Sequence, residues 1–111
     1  MTSKVKVNMT VCDKVHTIEV AQDASGNFIV KAETECDNVR EFIDMLGALS
    51  ITDLSDKMNS RIWECFKRAR MSANCLVPAA VVDAGWMEAG MLSKSRALGC
   101  KSKSIEYVKE E

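Results

Sequence analysis

The sequence predicts an α+β two-layer sandwich, an antiparallel sheet with helices packed on one face. Two observations carry that expectation. The first third of the chain alternates apolar and polar residues with period two and short turns between runs, the pattern of an antiparallel meander that is wet on one face. From residue 39 onward the apolar spacing changes to i, i+3, i+4, i+7, the pattern of amphipathic helices. At 111 residues the chain is expected to be one domain over 1–111, with one modest core.

The first strand spans residues 4–12, with Val5, Val7, Met9 and Val11 on one face and Lys4, Lys6, Asn8 and Thr10 on the other. Cys12-Asp13-Lys14 suits a tight turn. A second strand then sets His16, Ile18 and Val20 against Thr17 and Glu19. Residues 23–27, Asp-Ala-Ser-Gly-Asn, form a turn cluster. A third strand alternates Phe28, Val30 and Ala32 with Lys31 and Glu33.

Val39, Phe42, Ile43 and Leu46 define the first helix, ending near Gly47. Leu54, Met58, Ile62, Cys65, Phe66 and Ala69 form a longer stripe with Asp53 as candidate N-cap; Ser60 is an alternative start for a separate helix. Residues 78–91 give a third, mostly apolar helix with Pro78 in its first turn, where a missing N–H costs nothing. Ile105 and Tyr107 suggest a short C-terminal strand rejoining the sheet. Strand order does not follow from the pattern.

Fifteen basic and sixteen acidic residues nearly cancel, so no overall field favours nucleic acid or an anionic membrane. No apolar run approaches the ~20 residues that span a bilayer. The first residues lead straight into strand alternation rather than a signal-peptide core, and a cytoplasmic address is expected. Five cysteines in such a compartment read as reduced thiols or metal ligands rather than a disulfide scaffold.

The cysteines separate by context. Cys65 lies inside an apolar stripe and reads as a small hydrophobe. Cys100, in Gly99-Cys100-Lys101, reads as an exposed loop thiol. Cys36 and Cys75 each stand just before a helix, where unpaired N–H groups and the helix dipole favour a thiolate. Cys12 lies in the first hairpin turn. In an up-down-up meander the first and third strands run the same way, so Cys12 and Cys36 end at the same end of the sheet, and the third helix could bring Cys75 there. Three thiolates with an open fourth position suit zinc, iron or an iron–sulfur cluster. No CxxC pair and no neighbouring His reinforces that set.

His16 is the single histidine and shares parity with Ile18 and Val20, so a structural role facing the core is expected. It excludes multi-His zinc sites. There is no Gly-rich phosphate loop; Gly85 and Gly90 read as close-packing positions of the third helix. Arg61, Lys67, Arg68 and Arg70 read as a solvated face, and sparse aromatic residues weigh against RNA. Asp83 and Glu88 diverge on a helix and do not make an acid–base pair.

The segments Cys36-Asp37-Asn38-Val39-Arg40, Asn74-Cys75-Leu76-Val77-Pro78-Ala79-Ala80 and Glu88-Ala89-Gly90-Met91-Leu92 resemble a small uncharacterised single-domain family of methanogenic archaea and anaerobic bacteria. Its pattern is a Cys-x-Asn-Val segment after the third strand and a Cys-x-Val-Pro segment opening an apolar helix. A Cys near the first hairpin matches Cys12. This chain departs in carrying Asp13 where members often have Gly, Asp83 where a basic residue is usual, and Leu92-Ser93-Lys94 for Leu-Pro-Lys. The resemblance implies no reaction, but it picks out the same three cysteines.

The expected function is thus a small protein holding a metal ion or iron–sulfur centre through Cys12, Cys36 and Cys75, for carriage, assembly or redox sensing rather than turnover. Cys36 and Cys75 would be the low-pKa ligands. A different expectation is an interaction or homodimerisation module with inert cysteines, using the third helix or the sheet. A third is a thiol enzyme with Cys75 as nucleophile, for which no base is identified.

Overall fold

The computed structural model describes residues 2–110. Three strands, β1 (Thr2–Met9), β2 (Lys14–Gln22) and β3 (Phe28–Glu33), pair antiparallel in sequence order, with Val7 opposite His16 and Val20 opposite Val30. Their parity is the expected one. Val7, Met9, His16, Ile18, Val20, Phe28 and Val30 are buried, while Lys4, Lys6, Asn8 and Lys31 face water.

The β1–β2 hairpin turns through a single 3₁₀ turn, Thr10–Cys12, closed by Asp13 in the left-handed region at φ 55°. Val11 belongs to this turn and is exposed rather than core-facing. Only glycine occupies this region without steric cost, with Asp and Asn tolerated next.

The helix α1 (Asp37–Leu46) buries Val39, Phe42, Ile43 and Leu46 and stops at Gly47, as its spacing requires. Gly47 turns the chain into β4 (Ala48–Leu49), a two-residue strand paired with β3. This fourth strand, and not a C-terminal one, completes the sheet. Ile105 and Tyr107 stand exposed in residues 101–110, which have no regular structure, and α5 (Lys94–Cys100) forms where the sequence reads as a loop.

The stripe from Leu54 to Ala69 is two helices. The helix α2 (Ile51–Ser55) starts at a capping box in which Ser50 is the N-cap and Asp53 the third residue; α3 (Arg61–Arg68) starts at Ser60. The Asp53 carboxylate accepts from the Ser50 N–H at 2.9 Å and also from the Arg61 N–H at 2.9 Å, so one side chain serves both helix starts. Met58, in the break between them, is 85% exposed.

The apolar helix α4 (Val77–Ala89) lies across β1 and β2 and buries Val77, Pro78, Ala80, Val81, Ala84 and Gly85. Gly85 lets Leu54 pack close: a Cβ there would stand 2.5 Å from Leu54 Cδ2, so Leu54 would have to shift. One core cluster joins the sheet to α1, α2, α3 and α4. No helix among the described residues is long and apolar enough to cross a membrane.

Candidate thiol corner at one end of the sheet

The direction of α4 decides where Cys75 falls. Near its end Glu88 accepts a hydrogen bond from Ser3 Oγ at 2.8 Å, and Lys94 Nζ donates to the Thr2 carbonyl at 3.1 Å. These contacts pin the C-terminal end of α4 to the start of β1. At ~1.5 Å per helical residue and ~3.3 Å per strand residue, the beginning of α4 returns about 18 Å along β1, to the level of Met9, about 20 Å from Ser3. The start of α4 therefore lies near the β1–β2 turn. Cys12 is in that turn, and because β1 and β3 run parallel through β2, Cys36 leaves β3 at the same end.

The electrostatics agree with this placement. Burial raises the Cys75 thiol above its ordinary pKa, and negative charge on Cys36 and on Cys12 adds to the rise. Loss of solvent is the larger cause of that upward shift, and the Val77 N–H opposes it only in part. The expectation of a low-pKa Cys75 at a helix start is thereby corrected. Leu76, not Cys75, is the N-cap of α4, and one favourable N–H does not offset burial. Cys36 is the N-cap of α1, without a side-chain capping hydrogen bond. Cys12 is exposed; Cys36 and Cys75 are half-buried, and all five cysteines are free. Among the described residues no three His, Cys, Asp or Glu side chains stand at metal-ligating distances, so binding one ion would need the thiols to draw together.

His16 underlies this corner. It is 2% exposed, and its Nδ1 shares a 2.7 Å hydrogen bond with Thr34 Oγ1. The same oxygen accepts the Cys36 N–H at 3.0 Å, and Arg40 Nη2 donates to the Thr34 carbonyl at 2.6 Å. Thr34 thus links the buried imidazole to the backbone of Cys36, a connection that the sequence reading missed. Burial, and secondarily the charge of Lys14, hold His16 below its ordinary pKa, which favours the neutral ring.

The other cysteines lie elsewhere. Cys65 is buried in α3 with Sγ 3.6 Å from the Met45 carbonyl, as a packed thiol should be. Cys100 ends α5 and is exposed, in a helix rather than a loop. Several basic residues expected on a solvated face meet acids there: Arg70 with Glu41 at 2.6 Å and Lys67 with Glu64 at 3.5 Å. Two open depressions follow the outer side of α1, one lined by Asp37, Arg40, Glu41, Asp44 and Met45, and neither includes a cysteine.

The fold and this corner define a small α+β protein with Cys12, Cys36 and Cys75 placed toward one end of its sheet. The chain belongs to a family of unknown function, DUF6951, which matches residues 3–99. No curated protein and no solved structure matches it.

Proposed function

We propose that the protein binds a thiophilic metal, zinc or iron, or an iron–sulfur cluster, through Cys12, Cys36 and Cys75. The observation that carries this reading is the placement of three free thiols toward one end of the sheet, with charge on Cys36 and Cys12 among the causes that raise the Cys75 thiol. Burial, with the charge of its neighbours, makes the Cys75 thiol resist ionisation. A bound cation reverses that penalty and releases the protons. Cys12, on an exposed turn, is the arm with most room to close on an ion held by the two half-buried sulfurs. A fourth position would remain for water, a partner residue or a substrate, which fits carriage, assembly or redox sensing better than turnover.

The Cys-x-Asn-Val and Cys-x-Val-Pro segments are, on this reading, the ligand-bearing motifs. Reduced thiols of this kind suit the cytoplasm of methanogenic archaea and anaerobic bacteria. Metal analysis and visible absorption of anaerobically purified protein test the proposal. Stoichiometric zinc or iron, lost in Cys36→Ser, supports it. Metal-free protein that takes up neither metal overturns it.

A further inference from the structure

The segment after α5 carries a strand pattern with no strand to satisfy it. Ile105 and Tyr107 alternate with Ser104 and Glu106, yet they are 71% and 78% exposed. The sheet has a matching vacancy. β1 is an edge strand of eight residues, paired on one side only by β2. On its core side Val5 is half-buried, although its neighbours Ser3 and Val7 are buried. On its wet side stand Lys4 and Lys6; Lys4 pairs with Glu19 at 3.5 Å, and Lys6 pairs with no carboxylate among the described residues. The helix α5 begins beside the start of β1, where Lys94 Nζ meets the Thr2 carbonyl, and the segment follows α5. In its own subunit it leads elsewhere, with Lys103 Nζ held 2.9 Å from the Asp83 carboxylate of α4.

We propose that residues 104–108 of one copy add as an edge strand to β1 of a second copy, and the reverse, making a twofold-symmetric exchanged dimer. Ile105 and Tyr107 then cover Val5 on the core side, and Glu106 lies on the wet side against Lys6. Lysines on an edge discourage indiscriminate strand pairing. An acidic residue in the incoming strand turns that barrier into selection for this particular segment. The twofold arrangement satisfies both edges at once and closes the assembly. The segment lies beyond the span matched by the family and contains no thiol ligand, so the inference is independent of the metal reading.

Sedimentation of the full chain over a concentration series tests it, on wild type, Ile105→Asp/Tyr107→Asp, Lys6→Glu, and Lys6→Glu combined with Glu106→Lys. All four positions are exposed, so folding is spared. Wild type is expected to dimerise as concentration rises. The tail variant and Lys6→Glu are expected to weaken association about tenfold or more, since each altered contact occurs twice. Glu106→Lys is expected to restore it in the Lys6→Glu background. Amide exchange is expected to show the tail protected in the dimer and open on dilution. A chain that stays monomeric, a dimer indifferent to the tail variant, a charge reversal without rescue, or a tail protected in the monomer overturns the proposal.

Discussion

The two ends of α4 treat polar groups differently. At its C-terminal end the Glu88 side chain is only 7% exposed, and its Oε1 accepts from Ser3 Oγ at 2.8 Å and from Lys94 Nζ at 3.4 Å. At its N-terminal end Cys12, Cys36 and Cys75 are gathered but unbonded to one another, and the Cys75 thiol is pushed up by burial and by its neighbours. Buried groups that serve only the fold are paired, because an unpaired one costs about 1–3 kcal/mol. The first end meets that rule. The second leaves the half-buried Cys75 thiol, whose ionisation burial and neighbouring charge oppose.

The contrast can be broken at either end. The largest effect expected is from metal itself: zinc at about 100 times its Kd should raise wild-type stability by about 2.7 kcal/mol, and should not do so in Cys75→Ser. Denaturant midpoints with and without zinc check this. At the opposite end Ser3→Ala removes one partner of a buried carboxylate and should cost about 2 kcal/mol, metal present or absent. A loss below the error of chemical denaturation would mean that this contact does not fasten α4.

His16 sharpens the thiol end. Its pKa is lowered in the fold, so the unfolded chain binds the proton more tightly. Stability from keeping the ring neutral is therefore complete above the ordinary value of 6.5 and falls as pH drops below it. Unfolding midpoints across that range should decline in wild type and decline less in His16→Gln; equal slopes would contradict a buried neutral imidazole. Asp13→Gly relieves a left-handed residue in the hairpin turn and should add about 0.5–1 kcal/mol. The smallest effect expected is Cys12→Ser in metal-free protein, within about 0.5 kcal/mol, because the residue is exposed. Thermal melts of the apo forms measure both.

Most of the sheet and the long helices could be read from periodicity, since burial on one face leaves a period that local residues cannot hide. His16, Ile18 and Val20 show it in β2, and Val39, Phe42, Ile43 and Leu46 in α1. Elements too short to have a period were not legible: β4 is two residues long, and α5 is seven residues with no buried side chain. The signal for α5 was Ser93, whose Oγ accepts the Arg96 N–H as an N-cap. The split of α2 from α3 was written in Ser50, Asp53 and Ser60, but Asp53 was read as a cap rather than as the residue joining two helix starts. At the thiol corner, strand parity foretold that Cys12 and Cys36 share an end. The position of Cys75 depended on the Ser3–Glu88 contact, 85 residues apart in sequence, which no local pattern encodes. Its raised pKa depended on burial, which also lies beyond local spacing.

Cobalt titration of reduced, metal-free protein tests the thiol corner most directly, because thiolate–cobalt charge transfer reports sulfur ligation itself. One equivalent bound with a sulfur charge-transfer band in wild type, weakened or lost in each of Cys12→Ser, Cys36→Ser and Cys75→Ser and unchanged in Cys65→Ser, is the expected result. No such band in wild type, or one that survives all three substitutions, would contradict a shared metal site at this end of the sheet.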